Sequence, residues 1–330
     1  MIASIRSRLG LVSVGAAVPE RVVTNEELAQ RVDTSDEWIV SRTGIRERRV
    51  AAADEYSHDL ALRAAEQALD RSGLAPAQID LVICATTSPA SYFPSTAVLV
   101  AEALGAHGAG AYDLAAACTG FPYALSQAVG QIQAGLAEHA LVIGADTLSK
   151  VLDWDDRSTC ILFGDGAGAV VLSADAREEH TVGIELGADG ARAGDLFVRA
   201  LDASDRYLRM NGGEVYKFAT RTMVDASTRV LQRTGLDASD VDWWIPHQAN
   251  QRIIDHAVRR LELDPERVLT NLDRYGNTSA GSIPICLDEA WRSGRVRTGD
   301  RLMMIGFGGG LAWGACLMEW AGEPHTRGDQ

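Results

Sequence analysis

Long apolar runs are missing from this chain: no window approaches the roughly 18 consecutive apolar residues of a membrane span. Its opening, MIASIRSRLGLVSVGAAVPE, has only a short apolar segment before Pro19 and reads as a first strand. Paired cysteines are missing too. The five present, Cys84, Cys118, Cys160, Cys286 and Cys316, are odd in number, form no CxxC and sit in apolar segments. That argues against a disulfide framework and fits buried thiols in a reducing compartment, so the cytoplasm is expected. Positive charge is in deficit: 31 Lys and Arg against 45 Asp and Glu leave a net −14, with no basic stretch. Nucleic acid would be repelled, and an acidic partner could dock only on a local basic patch. The seven histidines are scattered and fall nowhere at metal-ligand spacing, so no metal is expected. What is present is an ordinary globular balance: 330 residues, 46% hydrophobic and 23% charged. That length suits about two units of ~150 residues, and a core of that size needs neither disulfide nor metal.

Short Val/Ile/Leu runs alternate with Ala-rich helical stretches, an α/β pattern with buried sheets. Strands are expected at Leu81–Ala85, Ala140–Ile143, Ala169–Leu172, Trp243–Ile245 and Leu302–Ile305. Helices are expected at His58–Ser72, Tyr123–Ala137, Tyr216–Thr234, Gln251–Leu263 and Ile283–Ser293. A loop-rich insertion is expected from about Gly187 to Gly213, where apolar periodicity lapses. One internal repeat stands out. LDRSGLAPAQIDLVICA from Leu69 matches LQRTGLDASDVDWWIPH from Leu231, an offset of 162 that also places Pro122 on Pro284 and Leu125 on Leu287. A shared offset near half the chain length points to two similar α/β halves about a pseudo-twofold axis.

The repeat has two informative mismatches. His247 falls on Ala85, and Cys118 falls on Ala280. His247 follows a strand and should emerge at its carboxyl end, where functional groups in α/β sheets collect. Gln248, Asn250 and Arg252 crowd the same turn with donors. Cys118 precedes a helix with Pro122 in its first turn. Unpaired N–H groups and the positive end of the dipole there favour thiolate, so a pKa below the free value of about 8.5 is expected. The alternative is an inert core cysteine. Asn277, after Gly276, is either a functional donor or a turn asparagine. FGGGLAWG from Phe307 lets a backbone approach a substrate closely and aim N–H groups at an oxyanion, or is only a tight turn. Neither FGDGAG nor GFGGG fits a dinucleotide fingerprint.

Six segments follow one another in order: DTSDEWIVSRTGIRERR, AAACTGF, DRSTCILFGDGAGA, PHQANQRII, YGNTSAGSIP and FGGGLAWG. Together they resemble the β-ketoacyl-[acyl-carrier-protein] synthase III family, condensing enzymes that begin bacterial fatty-acid synthesis. The resemblance implies an α/β thiolase-like fold, two duplicated α/β halves in a layered α-β-α-β-α core. Residues 1–175 would carry Cys118, and residues 176–330 would carry His247 and Asn277. Cys118 would take an acyl group from acyl-CoA. His247 and Asn277 would hydrogen-bond the malonyl thioester oxygen of malonyl-acyl carrier protein as it loses carbon dioxide. Backbone N–H groups of Cys118 and Gly309 would form the second oxyanion hole. Trp38, Arg42, Arg157 and Asn250 would bind CoA, an indole and a guanidinium sandwiching adenine. Gln248, Arg252, Arg259 and Arg260 would bind the carrier protein; Arg252 and Arg259 are seven apart, on one helical face. The other reading of these arginines is a solvated helix face. A homodimer is implied, with Phe93 crossing into the partner's acyl pocket and favouring short primers. No cofactor is implied, since CoA thioester and carrier phosphopantetheine enter as substrates. Two departures stand out: Gly213 where the best-known members have Asn, and Thr119 where Ala is more usual.

Rivals differ in predictable ways. A thiolase would carry a second catalytic cysteine near the C-terminus, where Cys316 reads as core. Plant-type polyketide synthases are longer and carry a GFGPG loop. A papain-like hydrolase with Cys-His-Asn would show Cys followed by Trp, and usually disulfides. A catalytically silent acyl-binding module would not need all three polar residues. A starter-unit enzyme of a specialised polyketide pathway is the nearest rival.

Overall fold

The computed structural model describes residues 5–175, 179–199 and 206–325. Two five-stranded sheets carry the chain. In the first, Gly10–Ala17, Gly166–Ser173, His139–Asp146, Leu81–Ala85 and Gly110–Leu114 lie side by side in that order. In the second the order is Ile5–Ser7, His180–Ala188, Ala312–Glu319, Arg301–Gly308 and Trp243–Pro246. The expected offset holds in register. Leu81 pairs with Ala140, and 162 residues on, Trp243 pairs with Leu302, both in parallel. Both central strands are buried on both faces, His139–Asp146 throughout and Arg301–Gly308 beyond its first residue. Their sequences therefore run apolar without alternation.

Two helices, Gly120–Gln133 and Ser282–Arg292, share one core with the inner faces of both sheets. Ser57–Ser72 and Thr96–Leu104 cover the outer face of the first sheet. Gly212–Thr234 covers that of the second, with Gln251–Arg260 packed beside it. The layers run α-β-α-β-α, the thiolase-like order. Ser57–Ser72 buries Leu60, Ala61, Ala64, Ala65, Ala68 and Leu69, the i/i+4 stripe of a core-facing helix. Asp59 caps it by accepting from Tyr56 N at 2.8 Å. It stops at Gly73, whose φ of 70° suits glycine, as its counterpart stops at Gly235 with φ 72°.

The middle layer needs close backbone approach. A Cβ on Gly144 would lie 2.1 Å from the Ala280 carbonyl oxygen, so only glycine lets the Ser279–Gly281 turn rest on the first sheet. The division at 175/176 falls between Gly166–Ser173 and His180–Ala188, while Ile5–Ser7 pairs with His180–Ala188 in the second sheet. Two strands escape the apolar pattern, His180–Ala188 and the glycine-containing Ala312–Glu319. Within the expected loop region, Gly190–Asp195 is a 3-10 turn, and Leu196–Phe197 pairs with Arg209–Met210. Residues 200–205 of that region lie outside the described residues.

Candidate active site

Cys118 sits in a 3-10 turn, Ala117–Thr119, that runs directly into the Gly120–Gln133 helix. The preceding Ala117 is held at φ 47°, an uncommon conformation for alanine. Ser279, 162 residues on, repeats it at φ 50°. Strain of this kind costs on the order of 1–3 kcal/mol and collects where a turn must present a side chain. Gly308 ends the strand that backs the cysteine. A Cβ there would stand 2.7 Å from Cys118 N, so the strand can close on the nucleophile only without one.

His247 follows the Trp243–Pro246 strand, as expected of a strand end, and its backbone N donates to Ile305 O at 2.7 Å. The imidazole is 1% exposed. Its Nδ1 lies 2.7 Å from Ser282 Oγ, and its edge meets the Phe307 ring at 5.2 Å. Burial pushes its pKa down to about 3, so the ring is neutral at ordinary pH. Asn277 is pinned by its backbone: its N donates to Leu162 O at 2.8 Å, and its O accepts from Gly164 N at 3.0 Å. Its Oδ1 accepts from Ser279 N at 2.9 Å, which leaves the amide hydrogens as donors. Gly276 enables this bridge; at φ 64° its Cβ would lie 2.8 Å from Leu162 O.

Cys118, His247 and Asn277 line one cavity of about 170 Å³, reached past Asn250 and Tyr216. Cys118 also borders a second, largely apolar cavity of about 700 Å³ that includes Thr87, Tyr92, Leu148 and Gly309. The sulfur therefore stands where two spaces meet. The thiol itself departs from the expected lowering. Burial pushes its pKa up to about 12, and hydrogen bonds from Ser279 and Asn277 offset this only partly, with Asp146 adding to the rise. Desolvation outweighs the helix start, so the resting nucleophile is a thiol. The other four cysteines are buried.

The remaining expected residues divide. Arg42 and Arg157 both lie against Trp38, at 4.7 and 4.9 Å from the ring centroid. Arg157 is further held by donating to Asp33 O at 2.6 Å. Asn250 lines the smaller cavity and caps the Gln251–Arg260 helix, accepting from Arg252 N at 2.9 Å. Arg252, Arg259 and Arg260 are exposed on that helix. Gln248 is a correction. It is 1% exposed; its amide donates to Pro246 O at 2.6 Å and accepts from Asn271 N at 3.0 Å. Its side chain braces the loop after His247 and is not available to a carrier protein. Phe93 is 86% exposed and does not line its own chain's cavities. Of the glycine run, Gly308 abuts Cys118, while Gly309 lies on the larger cavity. A Cβ at Gly213 would meet only Asn211 Oδ1, at 3.9 Å. Thr119 fits because Gly306 and Gly314 lie against it; a Cβ on either would stand 3.0–3.1 Å from its Oγ1.

Sequence reasoning missed Ser279, Ser282 and Phe307. The two serines lie in the YGNTSAGSIP segment, where only Asn277 drew attention. Among the described residues, no group of three or more His, Cys, Asp or Glu could hold a metal. No described helix is long and apolar enough to cross a membrane.

The layered fold, with a cysteine at a helix start and a histidine and an asparagine on one cavity, is that of the thiolase-like condensing enzymes. Residues 112–190 match the family model of 3-oxoacyl-[acyl-carrier-protein] synthase III, and residues 231–320 match the model of its C-terminal part. The β-ketoacyl-[acyl-carrier-protein] synthase III of Symbiobacterium thermophilum is 52% identical, over 94% of this chain and 98% of its own. The crystal structure of the Thermus thermophilus synthase III superposes with a TM-score of 0.91 at 48% identity, covering 95% of this chain and 99% of that one. The priming β-ketosynthase of the R1128 polyketide pathway also superposes at 0.91, with 37% identity, covering 98% and 99%. This chain belongs to the β-ketoacyl-[acyl-carrier-protein] synthase III family, and it is a condensing acyltransferase.

Proposed function

We propose that the protein loads a short acyl group from acyl-CoA onto Cys118 and condenses it with malonyl-acyl carrier protein, giving 3-oxoacyl-carrier protein at the start of fatty-acid synthesis. The observation that carries this reading is the meeting of Cys118, His247 and Asn277 on one cavity, with a second, apolar cavity behind the sulfur.

Loading exchanges one thioester for another. The Cys118 sulfur bonds the acyl carbon, the bond to the CoA sulfur breaks, and the thiol proton leaves with CoA as its thiol. Backbone N–H groups of Cys118 and Gly309 stabilise the tetrahedral oxyanion. Malonyl carrier then enters past Asn250. Loss of carbon dioxide leaves an enolate, whose oxygen accepts from His247 and Asn277. Both donors are neutral: an imidazolium would hand its proton to the carbanion and end the reaction. The enolate carbon bonds the acyl carbon and releases Cys118. Covalent capture divides one hard condensation into two easier steps.

Trp38, Arg42 and Arg157 form the CoA clamp, the adenine entering among groups that already stack on one another. Arg252, Arg259 and Arg260 receive the acidic carrier protein. Residues 1–175 and 176–330 act as the two duplicated halves. Two copies pair, and the exposed Phe93 closes the partner's larger cavity, which favours primers up to roughly four carbons. The enzyme works in the cytoplasm without a cofactor. A polyketide starter-unit role remains the second reading, favoured by the R1128 likeness. Mass spectrometry of the protein after incubation with a panel of acyl-CoAs tests the function. Short acyl adducts on Cys118 that disappear on adding malonyl-carrier protein are expected. Absence of any adduct, or an adduct released only as free acid, would overturn the reading.

A further inference from the structure

Ser282 Oγ lies 2.7 Å from His247 Nδ1 and accepts from the Gln248 backbone N at 3.4 Å. Ser282, His247 and Gln248 are each 1% exposed, so water does not arbitrate among them. A hydroxyl has one proton to give and lone pairs that accept. The Gln248 N–H can only donate, so it occupies a lone pair. Were Nδ1 protonated, two donors would converge on Oγ and the hydroxyl proton would have no acceptor among the described contacts of Ser282. With the hydroxyl donating to Nδ1, every group is satisfied and the single proton of the neutral ring sits on Nε2. The geometry around Oγ is stiff: the Gln248 side chain is tied to Pro246 O and Asn271 N, and the ring rests edge-on against Phe307.

The repeat supplies a second observation. Counting back 162 residues, Ser282 falls on Gly120 and His247 on Ala85. A Cβ on Gly120 would lie 2.9 Å from Ala85 Cβ, so these two positions face each other in the first half as well. There both are small and apolar. Hydroxyl and imidazole occur together in one half and are absent together in the other.

We propose that Ser282 is a positioning residue that fixes His247 as its Nε2–H form, so that the imidazole meets the substrate as a hydrogen-bond donor and not as a base. This deepens the assignment of His247 to the enolate oxygen and rests on it. An Nδ1–H ring would present a lone pair to that oxygen and repel the charge it is meant to hold.

The test is ¹⁵N NMR of histidine-labelled protein, joined to the two half-reactions. In the native enzyme, His247 Nδ1 should resonate in the unprotonated range and Nε2 in the protonated range. Ser282→Ala should lose that fixed assignment and slow carbon dioxide release about tenfold or more, given that a lost oxyanion donor costs ~10²–10³. Acylation of Cys118 should change less than about twofold on the same scale. Ser282→Thr, which keeps the hydroxyl, should restore the tautomer. Nδ1 protonated in the native enzyme overturns the proposal, even if Ser282→Ala fails to fold. An unchanged tautomer in Ser282→Ala overturns it as well. If the tautomer shifts but neither Ser282→Ala nor His247→Ala slows decarboxylation, it is the role of His247 in the reaction that fails.

Discussion

The two halves of the molecule share a backbone and differ at a few side chains. At equivalent positions 162 residues apart, the first half has Ala85, Ala115 and Gly120, and the second has His247, Asn277 and Ser282. The exchange runs the other way at one turn, where Cys118 faces Ala280. Ala117 and Ser279 hold the same left-handed backbone, at φ 47° and 50°, so the turns themselves match. The second half thus supplies a connected polar set, and the first supplies the nucleophile with little else around it. Small residues also leave space: Ala115 and Ala117 line the cavity of about 700 Å³ beside Cys118. The lesson is that duplication yields an asymmetric site by subtraction as much as by addition. One half gives up bulk to hold an acyl chain, and the other spends the same positions on hydrogen-bond donors.

The comparison breaks most sharply at its nucleophile. Cys118→Ser should abolish acyl-enzyme formation, and no adduct should move to the other four buried cysteines. Peptide mapping that found acyl groups on Cys84, Cys160, Cys286 or Cys316 would contradict the assignment.

Next in size, His247→Ala and Asn277→Ala should each slow carbon dioxide release from malonyl-carrier protein by about 10²–10³, the usual loss for one oxyanion donor. A loss below tenfold in both would mean that the second half does not hold the developing charge.

A smaller effect concerns the thiol. Burial pushes Cys118 up to about 12, so below that value the reactive thiolate fraction grows about tenfold per pH unit. The logarithm of the iodoacetamide alkylation rate should therefore climb with a slope of about one from pH 6 to 9. A plateau below pH 8 would show that the helix start overcomes desolvation.

The smallest effect lies on the second half's surface. Arg252→Glu or Arg259→Glu should raise the KM for malonyl-carrier protein, by up to about fivefold per charge, since exposed ion pairs contribute at most ~1 kcal/mol. The dependence on salt should weaken with it. A larger rise in the KM for acyl-CoA would place these arginines at the CoA clamp instead.

Much of this was legible in the sequence because buried strands and core-facing helices leave clear patterns. Leu81–Ala85 occurs as read, and the repeat carried the register of both sheets. Cys118, His247 and Asn277 were visible for a related reason: a mismatch within a repeat marks a position freed from its structural role. His180–Ala188 was hidden by its half-buried, glycine-containing sequence, which shows neither an apolar run nor strict alternation. Gln248 misled because a polar side chain beside a functional histidine looks exposed, and only its three partners reveal that it is spent internally. The thiol's direction was misread because sequence shows the helix start but not the depth of burial. Ser279 and Ser282 gave no signal, since serines near a helix start are commonplace caps.

The division of labour between the halves is tested most directly in one sample of the His247→Ala, Asn277→Ala double variant. Acyl transfer to Cys118 and carbon dioxide release would be followed together, by intact-protein mass spectrometry and radiolabelled malonyl-carrier protein. The expected result is an acylation burst close to the native one, alongside decarboxylation reduced by at least about 10²-fold. Equal loss of both half-reactions would contradict it, showing that the two halves do not divide the chemistry.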